Sequence, residues 1–311
     1  MLNRPILSII TPVFNGERYI AETVNSVLSA SFSFTFEYLV LDDGSTDKTL
    51  SILEEYRNYL TIFTHKNMGE SATVNKGIEN AAGDFILVIN ADDPLLTEDL
   101  VNIGCQVLID DPSLVAIYPD WKIVNDLGKT IKINILPEYS DEIMIGECRC
   151  LPGPGAIFRR SAAIKINGRR TNLRYVGDYD FWLRLSRIGK IKRTPGILAQ
   201  WRESQSSTSI SHRGLGMAIE RIEVTRSFLS ENLVPEKIKR MAMGNSYFLA
   251  ARLAFFDSRI NGRNYLIKSI WHFRGWPSSA KLHIAIYLLL LPVSKKLVDK
   301  FPKLVARISK R

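Results

Sequence analysis

The sequence has few of the residues that mark a disulfide-bonded or zinc-binding protein. Its 311 residues include three cysteines, Cys105, Cys148 and Cys150, and an odd number in a chain of this length does not suggest a disulfide framework. No Cys/His pair follows Cys148 and Cys150 at zinc-finger spacing. The apolar run Ile6–Ile10 is too short for the core of a signal peptide. We therefore expect reduced thiols, no structural zinc and a cytoplasmic protein.

Basic residues are scarce in the first part of the chain. Residues 1–120 hold 6 Lys/Arg against 18 Asp/Glu, whereas residues 121–280 hold 27 against 13 and residues 281–311 hold 8 against 1. The overall charge of +9 is typical of proteins that meet nucleic acid or anionic lipid. A duplex-DNA binder is not expected to begin with so acidic a block, and no zinc-finger, RNP or basic-region motif is present. We expect no nucleic-acid partner, and different partners for the acidic and basic parts.

The first hundred residues alternate strand and helix patterns. Short apolar runs predict four strands, at Ile6–Ile10 (stopping at Pro12), Glu37–Leu41, Thr61–Thr64 and Phe85–Ile89. Helical spacing predicts helices over Glu17–Ala30, from Ser45 or Asp47 to Leu60, over Gly69–Ala82 and after Thr97. Strands joined by helical crossovers predict an α/β fold with an open, mostly parallel sheet flanked by helices.

Polar residues follow three of these strands, at the edge where parallel sheets bind ligands. They are Asn15 and Glu17 after the first strand, Asp42 and Asp43 after the second, and Asp92 and Asp93 after the fourth. A hard divalent cation, held by carboxylates and substrate phosphates, would relieve the cost of burying Asp92 and Asp93. Each motif alone is also compatible with a turn or a helix cap. Their common edge nevertheless predicts a single site.

The second half of the chain is less regular. Strand candidates are Leu114–Tyr118, Thr130–Ile135 and Ala156–Arg159, followed by a helix over Asp180–Ile188 and a Ser/Thr-rich loop over Ser204–Ser211. From Gly214 onward we predict helices, at about 216–231, 235–257 and 260–273. The last segment joins twelve mostly apolar residues, Leu282–Val293, to a Lys/Arg-rich amphipathic end, and it is shorter than the roughly 20 residues of a membrane span. This combination fits attachment to an anionic membrane surface, with a packed helix and a solvated basic face as the alternative.

Five short blocks follow one another along residues 5–210. They are Thr11-Pro12-Val13-Phe14-Asn15-Gly16-Glu17, Leu41-Asp42-Asp43-Gly44-Ser45-Thr46-Asp47, Gly83-Asp84-Phe85, Asn90-Ala91-Asp92-Asp93 and Gly177-Asp178-Tyr179-Asp180-Phe181-Trp182-Leu183-Arg184-Leu185. In this order they resemble the family 2 glycosyltransferases of the GT-A fold. The resemblance implies a Rossmann-like nucleotide-sugar half over 1–120 and an acceptor half over 121–212. A helical C-terminal region over 213–311, with its basic tail, would follow.

The resemblance also implies roles for individual residues. Thr11, Pro12, Phe14 and Glu17 would line the nucleotide pocket, with Phe14 against the base. Asp43 would hydrogen-bond the base, typically uracil, and Asp92 would contact the ribose or the sugar. Asp93 would bind Mg²⁺ or Mn²⁺, which in turn holds the diphosphate. Asp178 would be the catalytic base, with Asp180 as the competing candidate and a helix N-cap as the alternative role for Asp178.

The sequence departs from the family pattern at three positions. Gly177 stands where the family often has Glu, and Ser204 stands where many members have a His that approaches the metal. Val74 stands where many members carry an Arg, and we expect its neighbours Asn75 and Lys76 only to pack their helix. The Gln-x-x-Arg-Trp signature of processive synthases is absent, which favours addition of a single sugar.

The resemblance implies an inverting, metal-dependent glycosyltransferase, and the basic C-terminal segment favours a peripheral location at the inner face of the cell membrane. It would move one sugar from a nucleotide-diphosphate sugar, with UDP favoured, to a hydroxyl of a lipid-linked saccharide in surface polysaccharide assembly. A catalytically inactive nucleotide-binding scaffold is one alternative. A sugar-phosphate nucleotidyltransferase is another, although such enzymes open with a Gly-rich loop carrying Arg and Lys, and Thr11–Glu17 has one Gly and no basic residue.

Overall fold

Eight strands form one mixed sheet in the computed structural model, which describes residues 4–203, 215–257 and 259–272. The strands are β1 (Leu7–Val13), β2 (Phe36–Asp42), β3 (Thr61–Thr64), β4 (Phe85–Val88), β5 (Leu114–Val124), β6 (Thr130–Asn134), β7 (Ile157–Arg159) and β8 (Lys190–Arg202). Their order is β3-β2-β1-β4-β7-β5-β6, and β8 pairs with β5. Strands β1 to β4 run parallel, as does β8 with β5, whereas β7 and β6 are antiparallel to their neighbours. The predicted α/β sheet, open and mostly parallel, is confirmed.

Helices flank this sheet. They are α1 (Ile20–Leu28), α2 (Thr49–Glu54), α3 (Glu70–Asn80), α4 (Asp99–Asp110), α5 (Arg160–Lys165) and α6 (Gly177–Leu185), with a π-helical turn at Glu142–Gly146. Helix α2 is shorter than the predicted stretch to Leu60, because the chain beyond Glu54 closes into tight turns such as Tyr56 N to Leu53 O and Tyr59 N to Tyr56 O. Asp47 supports its start, since Oδ1 accepts a hydrogen bond from Thr49 N at 2.9 Å.

Strand β1 continues through Pro12 to Val13, so the prediction that it stops at Pro12 is wrong. Pairing with β4 ends at Ile10, whose carbonyl accepts from Ile89 N, while Val13 O accepts from Asp43 N on the β2 side. Main-chain groups of alternate residues point to opposite neighbours, so Pro12 faces the β4 side beyond the last pair. The missing N–H therefore costs no ladder hydrogen bond.

The hydrophobic core around the sheet lies on both faces of the parallel strands β1 to β4. Every residue of β1 is buried, and Leu7, Ile9 and Leu87 pack with Val24 of α1 and Leu108 of α4. A parallel sheet covered by helices on both sides requires such continuous apolar strands. The packing of these strands against the helices fixes the positions of the strand ends. The polar residues that follow the strands are positioned in the same way.

The thirteen-residue strand β8 was not predicted. Pro195 and Gly196 interrupt its apolar alternation, and the register against β5 shifts there, with Thr194 opposite Pro119 and Ile197 opposite Asp120. Gly196 has φ +119°, a conformation that side-chain-bearing residues rarely adopt. Beyond this bulge the strand leads to Trp201 and Arg202.

A second compact unit comprises residues 145–148 and three helices, α7 (Leu215–Glu231), α8 (Glu236–Asp257) and α9 (Arg259–His272). Its small core contains Ala218, Ile222, Tyr247 and Ala250, and Ser269 Oγ donates to Gly244 O at 2.8 Å. Across the helices that the structure describes, none combines the length and apolar character needed to cross a membrane. The predicted loop Ser204–Ser211, position 273, the apolar run Leu282–Val293 and the basic tail lie outside the described residues.

Candidate active site

The loops after β1 and β2 are tied together by hydrogen bonds that backbone N–H groups donate to side-chain oxygens. Asn15 Oδ1 accepts from Thr46 N at 2.8 Å, and Glu17 Oε2 accepts from Lys48 N at 3.0 Å. In return Asp47 Oδ2 accepts from Glu17 N at 3.1 Å. Glu17, predicted to line the nucleotide pocket, therefore has one carboxylate oxygen committed to bracing the loops. The bracing holds the two loops together at one edge of the sheet.

Three further predicted pocket residues differ sharply in exposure. Phe14 is 52% exposed, and its ring is therefore free to stack on a ligand. Pro12 is buried. Thr11 is completely buried, and its hydroxyl lies 3.0 Å from the hydroxyl of Tyr38. The structure thus places Phe14 at the surface and Thr11 in the interior.

Asp43 lies at the N-terminus of α3. Its side chain is buried, and its two carboxylate oxygens accept from Met68 N at 2.7 Å and Gly69 N at 2.9 Å. Gly69 has φ +88°, which favours glycine, and no atom lies within 4 Å of the position of a Cβ. The carboxylate is thereby fixed beside the positive end of a helix dipole. His65 Nδ1 also lies 3.4 Å from Oδ1. Since a carboxylate can accept about four hydrogen bonds, Asp43 retains capacity for a ligand donor.

Asp92 and Asp93 follow β4 at the same edge. Asp93 is 6% exposed, and it accepts from Arg202 N at 2.6 Å (Oδ1) and from Asn90 Nδ2 at 3.0 Å (Oδ2). Burial, together with the neighbouring charge of Asp92, raises the pKa of Asp93 to about 7. Burial also raises the pKa of Asp92. Two desolvated carboxylates side by side favour the arrival of a cation.

Arg202, at the end of β8, is a site residue that the sequence patterns did not single out. It is 3% exposed, its guanidinium donates to Glu22 Oε1 at 2.7 Å, and it lies over the Tyr19 ring at 4.7 Å. Its charge opposes the rise in the pKa of both Asp92 and Asp93. The alternation of apolar and polar residues before Trp201 is the sequence signal for strand β8, but Pro195 and Gly196 interrupt it.

The first turn of α3 connects these carboxylates to α6. The negative charge of Glu70 helps to raise the pKa of Asp92, so the first turn of α3 acts electrostatically on this carboxylate. On the other side, a Cβ added to Gly177 would lie 3.1 Å from Ser71 Oγ, so α6 begins against the same turn. Glycine at 177, where the family often has Glu, allows this close approach. Asp178 follows directly.

Asp178 and Asp180 occupy contrasting environments although both lie in the first turn of α6. Asp178 is exposed, and its Oδ1 accepts from Tyr179 N at 2.7 Å. Asp180 is 3% exposed and is held by Arg184 Nε at 2.7 Å and by Arg170 Nη1 at 3.2 Å. Solvent therefore has access to Asp178 but not to Asp180.

The protein alone does not form a complete cation site within the part of the chain described. No group of three or more His, Cys, Asp or Glu side chains there is arranged to hold a metal. Asp92 and Asp93 offer a pair of carboxylates, and Mg²⁺ is commonly held by one or two carboxylates with phosphates and water. Ser204, at the position where many family members have a His near the metal, lies outside the described residues.

Residues 8–166, just over half of the chain, match the family model described as Glycosyl transferase family 2. The chain belongs to glycosyl transferase family 2. The predicted membership is confirmed, and with it the prediction that this protein is a glycosyltransferase.

Two similar proteins are also glycosyltransferases by name. A glycosyltransferase of Rickettsia typhi is 26% identical over 268 residues, which cover 81% of this chain and 80% of that protein. The poly(ribitol-phosphate) β-N-acetylglucosaminyltransferase TarS of Staphylococcus aureus is 32% identical over 167 residues, which cover 51% of this chain and 28% of TarS.

Solved structures agree with the fold of this glycosyltransferase. TarS 1–349 in complex with UDP-GlcNAc superposes with a TM-score of 0.57 at 20% identity, covering 86% of this chain and 89% of that one. The mannosyltransferase PcManGT from Pyrobaculum calidifontis, in complex with GDP-Man and Mn²⁺, superposes with a TM-score of 0.56 at 15% identity. The superposition covers 99% of this chain and 87% of that one. The predicted GT-A fold is confirmed.

The position of Val74 is apolar and buried in this glycosyltransferase. Val74, where many family members carry Arg, is completely buried in α3. Arg202, at the end of β8, supplies a positive charge that acts on both Asp92 and Asp93. The electrostatic balance of the site therefore depends on β8, the strand that the sequence patterns missed.

Proposed function

We propose that this glycosyltransferase inverts the anomeric centre and uses a divalent cation to transfer one sugar from a nucleotide-diphosphate sugar to an acceptor hydroxyl. The observation that carries the proposal is the grouping of Phe14, Asp43 and the Asp92-Asp93 pair at one sheet edge, with exposed Asp178 reached through the first turn of α3. The TarS complex with UDP-GlcNAc supports a uridine nucleotide as the donor.

Nucleotide binding is assigned to the edge formed by β1 and β2. Phe14 stacks on the base, because its ring is exposed beside a braced loop. Asp43 accepts a hydrogen bond from the base, since Met68 N and Gly69 N already hold its carboxylate in place. Thr11, Pro12 and Glu17 shape the floor and loop of this pocket, and Asp92 contacts the ribose or the sugar.

A divalent cation fits the Asp92-Asp93 pair. The raised pKa of Asp93 reflects a desolvated carboxylate beside a second one, and Mn²⁺ or Mg²⁺ held by Asp93 would neutralise both. Bound there with the diphosphate, the cation would stabilise the charge that develops on the leaving nucleoside diphosphate. PcManGT, which was solved with Mn²⁺, supports a divalent cation in this fold.

Asp178 is assigned the role of catalytic base. A carboxylate on the acceptor side of the anomeric carbon takes the proton of the attacking hydroxyl, and in-line attack opposite the leaving group inverts that centre. Exposure and its place at the start of α6 favour Asp178 over Asp180, whose carboxylate is buried between two guanidinium groups.

The acceptor is proposed to be a lipid-linked saccharide, used at the cytoplasmic face of the membrane in surface polysaccharide assembly. Support comes from the charge distribution, because the Lys/Arg excess lies in residues 121–311 and is densest in the final segment. Basic amphipathic segments attach to anionic lipid surfaces. The name of TarS indicates a polyanionic, phosphate-containing acceptor for that relative.

The test is calorimetric titration of UDP and GDP with and without Mn²⁺, followed by assays of nucleoside diphosphate release from a panel of sugar donors. We expect Mn²⁺ to tighten UDP binding on the order of 100-fold, because the cation bridges Asp93 and the diphosphate. In Asp93→Ala, the gain in UDP affinity that Mn²⁺ provides should be lost. Asp84→Ala is the matched control, since Asp84 pairs with Arg4 on the surface and immediately precedes β4, at the opposite end of that strand from Asp93.

Three results would count against the proposal. Equal Mn²⁺ dependence in wild type and Asp93→Ala would exclude the cation site. Nucleotide binding without turnover on any donor would favour an inactive scaffold, and release of pyrophosphate in place of nucleoside diphosphate would favour a nucleotidyltransferase.

A further inference from the structure

The segment that leads into α6 is clamped by one asparagine of α3. We call residues 166–176 the α5–α6 loop, since they join those helices. Asn75 Oδ1 accepts from Arg169 N at 2.7 Å, and Asn75 Nδ2 donates to Arg169 O at 2.8 Å. A single side-chain amide thus satisfies both main-chain groups of one loop residue, as a neighbouring strand would. Asn75 therefore does more than pack its helix, which is all the sequence predicted for it.

The start of the loop is shaped to receive this amide. Asn167 has φ +58° and Gly168 has φ +63°, two consecutive residues in the left-handed region that ends α5. A Cβ on Gly168 would collide with Asn75 Oδ1. Glycine at 168 is required both by the backbone conformation and by the closeness of the clamp.

The same loop is held from the other side by α6. Arg184 Nη1 and Nη2 donate to Ile166 O at 2.6 Å and to Gly168 O at 2.7 Å. Its Nε donates to Asp180 Oδ2 at 2.7 Å, and Asp180 Oδ1 pairs with Arg170 of the loop at 3.2 Å. The buried Asp180 thus connects the loop to the helix turn that presents Asp178.

A second contact joins the loop to the nucleotide side. Arg169 Nη1 pairs with Glu70 Oε1 at 2.9 Å, and the charge of Glu70 acts on Asp92. Asn75 lies about one and a half turns further along the same helix, where the position is half-buried. Helix α3 therefore carries at its first turn a charge that acts on Asp92, and at its second turn it holds the α5–α6 loop.

We infer that Asn75 is a positioning residue that fixes the distance between the donor site and Asp178 by clamping the α5–α6 loop to α3. The inference rests on the proposed function, because it assigns Asn75 an effect on the step in which Asp178 takes the acceptor proton. Asn75 does not touch substrate, and it acts through Arg169, Gly168 and the Asp180–Arg184 network. Asparagine is needed because it both donates and accepts, whereas Leu of similar size does neither.

The test compares Asn75→Leu with Asn80→Leu, a matched control on the same helix. Asn80 is exposed, and its Nδ2 donates to Lys76 O within α3. For Asn75→Leu we expect kcat for transfer to fall on the order of 100-fold, since a misplacement of about 1 Å has effects of that size. The Kd for UDP with Mn²⁺ should change less than about 2-fold, because donor contacts are untouched. Donor hydrolysis by water should fall less than transfer, so the ratio of hydrolysis to transfer should rise.

Loop order is measured independently by amide hydrogen exchange over residues 166–176. Faster exchange in Asn75→Leu than in Asn80→Leu supports the clamp even if the wild-type enzyme turns over no donor, so a failed function and a failed clamp are distinguishable. Gly168→Ala, which disturbs the clamp from the loop side, should reproduce the same pattern if Asn75→Leu does not fold.

Four outcomes would overturn the inference. Asn75→Leu could keep kcat within about 3-fold of Asn80→Leu, where an effect near 100-fold is expected. It could lose UDP binding and transfer in equal proportion, which indicates a general structural role. Exchange over residues 166–176 could remain unchanged, or Asn75→Leu and Gly168→Ala could both fail to fold, which would make the contact part of the core.

Discussion

The candidate site contains two aspartate pairs, Asp92-Asp93 and Asp178–Asp180. Each pair has one buried member, but the charge of that buried carboxylate is compensated differently in the two pairs. Asp93 and Asp180 are the buried members, at 6% and 3% exposure. Asp180 is held by two guanidinium groups. Asp93 accepts from a backbone amide and from Asn90, and the guanidinium of nearby Arg202 donates to Glu22 instead.

This difference distinguishes the candidate cation site at Asp93 from the structural ion-pair network at Asp180. Asp180 has its cations built into the chain, so its role is to hold a helix and a loop in register. Asp93 is desolvated beside a second carboxylate, which raises its pKa to about 7 and makes it receptive to an external cation. In each pair the other member, Asp92 or Asp178, is more accessible to solvent.

The largest effect that tests this comparison is expected for Asp178→Asn. Removing the base should slow transfer about 10³-fold, within the range for general base catalysis. The Kd for UDP with Mn²⁺ should stay as in wild type, since Asp178 lies on α6 and the proposed nucleotide contacts lie after β1 and β2. Single-turnover assays with a competent acceptor, together with calorimetry, measure the two quantities.

Asp84→Asn serves as the control for this substitution, because Asp84 immediately precedes β4, at the end opposite to Asp93. If Asp180→Asn remains folded and loses turnover while Asp178→Asn retains it, the assignment of the base is reversed.

Asp180→Asn should lower the stability of the fold rather than act directly on the transfer step. Loss of this carboxylate leaves Arg184 and Arg170 without their buried partner, and we expect the free energy of unfolding to fall by about 2–3 kcal/mol. Urea unfolding measures the change. Asp178→Asn, on the same helix turn but exposed, should stay within about 0.5 kcal/mol of wild type. Equal stability of the two variants would show that Asp180 is no brace.

Local sequence patterns were sufficient to predict the parallel half of the fold and the edge where its polar residues gather. Strand β3 occurs over Thr61–Thr64 as predicted, and Asp43 and Asp93 follow buried strands. Both results follow from apolar runs and from the common edge of parallel strands. Strand β8 escaped prediction because its register is set by pairing with β5, which absorbs Pro195 and Gly196 in a bulge.

Contacts between distant segments could not be predicted in the same way. The helical period places Asp178 and Asp180 on different faces of α6, but only the packed structure shows that the arginines lie on the face of Asp180. Arg202 reaches Asp93 across 109 sequence positions and Asn75 reaches Arg169 across 94. Such pairings depend on the tertiary fold, and a local pattern carries no signal for them.

The smallest expected effect concerns the pH dependence of stability, measured without divalent cation. Because the pKa of Asp93 is raised to about 7, the folded protein between pH 4 and 7 keeps a proton that the unfolded chain has released. The free energy of unfolding should therefore fall as pH rises through this window, and Asp93→Asn should flatten that slope. At pH 8 the variant should be more stable than wild type by about 1–2 kcal/mol, since the cost of burying the charge is removed. Urea titrations at pH 5 and 8 in the presence of a chelator measure both slopes, and Asp84→Asn should keep the wild-type slope. An unchanged slope in Asp93→Asn would mean that Asp93 is as well neutralised as Asp180, and the contrast between the two pairs would disappear.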